Sequence, residues 1–136
     1  MILYTISFKN MNNFGTNYVS RQELKEVEKF ADNLFAELGI DIAFTNHFFE
    51  RLNDPRNGKP ITDDELKEMF QDIFIKFGSK LSKMDINTEA VINDISSKLN
   101  IPFVLVYDSH NHEIDFVSKT IMRKDDFKTQ TKKYKI

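Results

Sequence analysis

Apolar residues recur along the first half of the chain at the spacing of helices. Leu24, Val27, Ala31, Leu34 and Leu38 follow one another at intervals of three and four, with Phe30 and Phe35 widening the stripe. Ser20-Arg21-Gln22-Glu23 opens this helix as a capping box, in which the Ser hydroxyl and the Glu carboxylate accept from otherwise unpaired amides. Gly39 supplies its stop. A short apolar stretch, Ile40 to Phe44, leads to a brief helix capped by Thr45 or Asn46 and holding His47, Phe48, Phe49, Glu50, Arg51 and Leu52. Asn53 to Pro60 breaks it. Thr62-Asp63-Asp64-Glu65 is a second capping box, launching a helix whose face is Leu66, Met69, Phe70, Ile73, Phe74 and Phe77, up to Gly78.

The remainder favours strands. Residues 2–8 alternate weakly and predict an opening strand, followed by a loop at Asn12-Asn13-Phe14-Gly15. Glu89 to Ile95 fits either a strand or a helix, and its shortness and β-branched content favour the strand. Ile101 to Tyr107 predicts a buried strand, with Pro102 tolerated near its start. Asp108 to His112 is a turn cluster, and Glu113 to Lys124 is the returning strand of a hairpin. Helices followed by strands predict an α+β domain with N-terminal helices packed on a mainly antiparallel sheet.

At 136 residues and 40% hydrophobic content the chain suits a single domain, residues 1–136, with 125–136 a basic C-terminal tail. The absence of Cys removes disulfides, thiolate nucleophiles and thiolate zinc sites, and fits a reducing compartment. The start of the chain lacks a basic leader, and no apolar run approaches the roughly 20 residues of a membrane span. Cytoplasm is the expected location, with no membrane partner. The net charge of −2 conceals a polarity. Lys119, Arg123, Lys124, Lys128, Lys132, Lys133 and Lys135 face only Asp125 and Asp126, leaving about +5 in this segment and about −7 before it.

Candidate chemistry follows from spacing. His47 and Arg51 stand four apart on one helix, which puts an imidazole beside a guanidinium, and Arg56 and Lys59 follow in the next loop. An imidazole moves protons near neutrality, while Arg and Lys hold phosphate and stabilise its developing charge. The plainer reading has His47 padding the helix and Arg51 paired with Glu50 or Asp54. Lys119 to Lys124 is the second constellation, in which Thr120 or Arg123 either faces the His47 helix or solvates an edge strand. His110 and His112, with Asp108, Glu113 and Asp115 nearby, have metal-ligand chemistry but occupy an expected exposed turn, so no metal is assigned. No phosphate-binding glycine loop, nucleophile elbow or His-Glu-x-x-His helix occurs, and no cofactor is implied.

These residues together resemble the small metal-independent endoribonucleases grouped with the RelE toxins, barnase and the colicin ribonucleases. The likeness rests on His47 and Arg51 on a helix, the basic loop Arg56-Asn57-Gly58-Lys59, a further helix, and strands ending in one that bears Thr120 and Arg123. It spans roughly residues 42–124. The chain also looks like small phage-encoded proteins with an Asn-Ile-Pro-Phe strand and a Lys-Thr-Ile-Met-Arg-Lys strand, here Asn100 to Phe103 and Lys119 to Lys124. The resemblance implies a RelE/barnase-like fold and RNA cleavage by attack of the 2′-hydroxyl. His47 would be acid or base, Arg51, Arg56 and Arg123 would hold the phosphate, and Thr120 would orient it. Lys59, Lys119 and Lys124 would bind the RNA chain. Two other readings stay open: a non-catalytic nucleic-acid-binding module, and an accessory or virion-associated protein that meets a protein partner through Phe48, Phe49, Phe74 and Phe77.

Overall fold

A computed structural model describes residues 18–136. The expected strand over 2–8 and loop at 12–15 lie outside the described residues. The elements run α1 (Arg21–Phe35), a 3-10 turn (Ala36–Leu38), β1 (Ile40–Phe44), α2 (Asn46–Leu52), a second 3-10 turn (Pro55–Asn57) and α3 (Asp63–Leu81). Five strands follow: β2 (Glu89–Asn93), β3 (Leu99–Asp108), β4 (Glu113–Ser118), β5 (Met122–Arg123) and β6 (Lys132–Lys135). The fold is α+β.

Both capping boxes form. The Ser20 hydroxyl accepts from the Glu23 amide at 3.0 Å while Glu23 Oε1 accepts from the Ser20 amide at 2.9 Å. Thr62 and Glu65 do the same at the start of α3. Gly39 takes the left-handed conformation at φ 70, so the chain reverses straight into β1. Gly78 does not stop α3 as expected. It lies inside the helix, and a Cβ there would come within 3.2 Å of Leu38 Cδ1, so its role is to let α3 approach the end of α1 closely.

The sheet is mixed, ordered β1-β4-β3-β2-β6, with β5 beside the start of β3. β3 pairs antiparallel with β2, β4 and β5, while β1 joins β4 and β6 joins β2 in parallel. Alternation along β3 sends Leu99, Ile101, Phe103 and Leu105 into the core. There Phe103 stacks on Phe116 at 4.2 Å, and Phe70 meets Phe116 edge-on at 6.0 Å. Phe48 is buried, and Phe49, Phe74 and Phe77 pack against the same core, so the four rings offered as a partner-binding patch are occupied in packing. No helix among the described residues is long and apolar enough to cross a membrane.

Two expectations need correction. Residues 113–124 are not one strand: the ladder stops at Ser118 and resumes for two residues at Met122. Pro102 is the cause. Lys119 donates its amide to the Pro102 carbonyl at 2.9 Å, but proline has no N–H to return to the Lys119 carbonyl. β5 is then held by the fully buried Asn100, whose Nδ2 donates to the Lys98, Met122 and Lys124 carbonyls and whose Oδ1 accepts from Asn93. Nor is 125–136 simply a tail. Lys132–Lys135 is an edge strand on β2, clamped by Ile136 donating to the Asn93 carbonyl at 2.9 Å and by Tyr134 meeting Phe77 edge-on at 5.2 Å.

The edge at β1 is capped by α1. Asp32 Oδ1 accepts from the Ile42 amide at 2.7 Å, using an N–H that no strand pairs. Burial pushes the Asp32 carboxyl up to about 7; the Ile42 amide pulls it back, while nearby Asp41 and Glu28 push it further. Burial and Asp41 likewise raise Glu28 and Asp115, with Asp108 and Glu113 adding to Asp115. Folded Asp32 thus binds its proton more tightly than the unfolded chain does, whose ordinary value is 3.8. The stability it adds is full below that value and is lost as pH rises through about 7. The thermal midpoint should fall between about pH 4 and about pH 7, and Asp32→Asn should flatten this slope and raise the midpoint at the upper end. A variant less stable than the parent at the upper end would refute the assignment.

Candidate functional site

The gap at Pro102 is where α2 docks. The Lys119 carbonyl, left without a strand partner, accepts the Thr45 hydroxyl at 2.8 Å, and the same Thr45 oxygen accepts from the Phe48 amide at 2.9 Å as N-cap of α2. Thr45 also donates its amide to the Ser118 carbonyl at 3.3 Å. The far end of α2 is tied by the buried Asn57. Its Nδ2 donates to the Arg51 carbonyl at 2.7 Å, and its Oδ1 accepts from the Arg123 amide at 3.1 Å. Helix α2 therefore lies along residues 118–123, fastened at both ends, with Thr120 between the two fastenings.

His47 and Arg51 stand on one flank of this helix, beside the face that buries Phe48 and Leu52. The His47 side chain is 59% exposed, and its Nδ1 is 3.9 Å from Glu50 Oε1. Arg51 turns inward. Its Nε is buried without a hydrogen-bond partner, and at 3.7 Å from Asp54 Oδ2 it lies beyond hydrogen-bonding reach. Ser118 Oγ and Thr120 Oγ1 are also buried and unpaired. Among the described residues these are three of the four such side-chain atoms, and all three fall on the two segments that Thr45 joins. Unpaired buried donors cost about 1–3 kcal/mol each, so each of these three is a position where the fold leaves a polar group unanswered.

The other expected site residues are engaged elsewhere. Arg123 is 10% exposed, and its guanidinium donates to the Lys59, Pro60 and Ser97 carbonyls and to both Glu65 oxygens. That uses all five of its N–H groups, leaving none for a phosphate. Burial alone would raise the Glu65 carboxyl; hydrogen bonds from Arg123 and the Thr62 amide outweigh it and hold the group low. Arg123 is thus a structural clasp between α3 and β5, correcting its assignment to phosphate. Arg56 forms a forked pair with Asp54, at 3.0 Å and 2.7 Å to Oδ2, and holds that carboxyl down at about 2. Lys119 pairs with Glu89 at 2.7 Å, and Lys59 and Lys124 are exposed. His110 and His112 lie in an exposed turn, and no group of three or more potential metal ligands occurs among the described residues.

The two segments thus carry one buried guanidinium N–H and two buried hydroxyls, with an exposed imidazole on α2. Guanidinium and hydroxyl donors can hold an oxyanion, and an imidazole can move one proton. Comparison with protein-family models, curated proteins and solved structures finds no match to the chain.

Ser118 was not anticipated, and Thr45 was expected as the cap of α2 but not as its tie to Lys119. Ser118 follows Ile114 and Phe116 at spacing two, so a hydroxyl at a core position was the available signal. Removing the clasp should be costly: Arg123→Ala deprives the half-buried Glu65 of its cation and should lose about 1.5–3 kcal/mol, and Arg123→Lys should not restore it, because one ammonium cannot reach these separated acceptors. Thermal melts of both variants test this. An Arg123→Ala protein melting with the parent would overturn the structural role.

Proposed function

We propose that this protein is a metal-independent endoribonuclease whose active site is the junction of α2 with residues 118–120. What supports the reading is the docking of the His47 and Arg51 helix alongside Thr120, with Arg51 Nε, Ser118 Oγ and Thr120 Oγ1 buried and unpaired at the seam. RNA supplies what such a site lacks, an anionic acceptor and an internal nucleophile. His47 takes the proton of the 2′-hydroxyl, the 2′-oxygen bonds to phosphorus, and the bond to the 5′-oxygen breaks with its electron pair. The leaving 5′-oxygen gains a proton from the imidazolium or from water, and a 2′,3′-cyclic phosphate remains. Arg51 and Thr120 donate to the non-bridging oxygens, where charge grows. This is the chemistry of the RelE, barnase and colicin ribonuclease group that the sequence resembles.

A second reading has one observation in its favour. Arg123 and Arg56, two of the three arginines expected to hold the phosphate, are engaged in ion pairs with Glu65 and Asp54, which suits binding without turnover.

Purified protein should cut single-stranded RNA in the presence of a chelator and leave cyclic phosphate ends. His47→Ala should lower the rate by about 10²–10⁴ with an unchanged melting temperature, since the side chain is exposed. Arg51→Ala should lose about 10²–10³. Undiminished cleavage by His47→Ala, or none by the parent protein, sinks the mechanism; tight binding without cleavage selects the second reading.

A further inference from the structure

At the opposite edge of the sheet from β1, the fold gathers lysines distant in sequence. Lys80, in the last turn of α3, and Lys132, on β6, both set their ammonium groups over the Tyr134 ring, at 5.4 Å and 5.3 Å. The ring is fixed edge-on against Phe77. Strand alternation places Lys133 and Lys135 on the other face of β6, about 7 Å apart. Among the described residues none of these four makes an ion pair with a carboxylate, whereas Lys98 and Lys119 do. Two ammoniums over one ring repel each other. Each cation–π contact returns only about 0.5–1 kcal/mol at an exposed site, so an anion beside the lysines offsets their repulsion.

These lysines sit on a paired strand and not on a loose tail. Tyr134 positions Lys80 and Lys132, so binding does not have to order those two long side chains from scratch. The chain there is parallel to β2, with Ile95 donating to the Ile136 carbonyl at 3.3 Å beyond its end. β6 stands three strand spacings, about 14 Å, from the line of β4 and β5 where α2 docks. A polymer held at the junction would span that distance; a single nucleotide would not.

We infer that the corner formed by Lys80, Lys132, Lys133, Lys135 and Tyr134 is a second phosphate-binding site, gripping single-stranded RNA through its backbone at a distance from the junction. It rests on the RNA reading of that junction for its choice of polymer, and it reads no bases. It contributes affinity that falls with salt, because each phosphate neutralised releases counterions.

The test is fluorescence anisotropy of a labelled single-stranded oligoribonucleotide over a range of salt, in a His47→Ala background so that the probe survives. The triple variant Lys80→Ala, Lys132→Ala, Lys133→Ala should reduce the slope of log affinity against log salt by about 2. The corresponding triple Arg variant should restore it. Lys25→Ala with Lys29→Ala, exposed on α1, should leave the slope as it was. An unaltered slope in a folded triple Ala variant overturns the inference, as does a patch whose loss abolishes binding to anionic lipid vesicles but not to RNA. Binding of RNA without cleavage by the His47 protein overturns the ribonuclease reading alone. Cleavage with an unaltered slope in the triple Ala variant overturns this inference alone.

Discussion

Pro102 has no amide proton, and the central strand of the sheet therefore cannot complete its ladder with Lys119. A buried carbonyl without a donor costs about as much as a lost hydrogen bond, so something must answer it. The Thr45 hydroxyl does, at 2.8 Å, while capping α2 with the same oxygen. From that one substitution of donor follow the interruption of the returning strand, the docking of α2 across the break, and the exposure of Thr120 to the flank of a helix instead of to a neighbouring strand. Asn57 and Asn100 complete the arrangement by supplying hydrogen bonds where the backbone again has no regular partner.

The charged residues divide into those that build this arrangement and those that remain available. Glu65 is the clearest builder. It closes the capping box of α3 with Thr62 and receives two hydrogen bonds from Arg123, so one carboxylate starts a helix and clasps a two-residue strand. Asp54 similarly holds Arg56. Because guanidinium N–H groups are few and directional, an arginine whose five donors are all paired contributes position and not ligand binding. Arg51 differs: its Nε is buried with only a distant carboxylate. At the acidic edge the same economy is visible in reverse, since Asp32 closes the exposed backbone of β1 at the expense of sharing a confined space with Asp41 and Glu28.

Much of this architecture was legible from local pattern. The spacing of Leu24, Val27 and Ala31 gives α1 its buried face, and those three residues are buried as expected. Alternation in Ile101, Phe103 and Leu105 gives β3 its core face. His47 and Arg51 do share a helix flank. Periodicity failed where a single residue had two competing uses. Gly78, a stop by composition, lies inside α3 where a Cβ would crowd Leu38 Cδ1 at 3.2 Å. Lys132 to Lys135 look like a solvated tail, yet Tyr134 has Phe77 to pack against and β2 has an unfilled edge.

The sequence by itself determined the helices, the core strands, the two capping boxes and the concentration of positive charge towards the C-terminal end, because each of these depends on residues within a turn or two of one another. Only the tertiary structure decided how tightly each arginine is engaged. Arg51, Arg56 and Arg123 are chemically alike, and what separates them is the company each keeps: a distant carboxylate, a forked pair within the loop, and acceptors from Lys59, Pro60, Glu65 and Ser97. For Arg123 those acceptors come from segments 26 to 64 residues away, so no spacing rule could have marked it as structural.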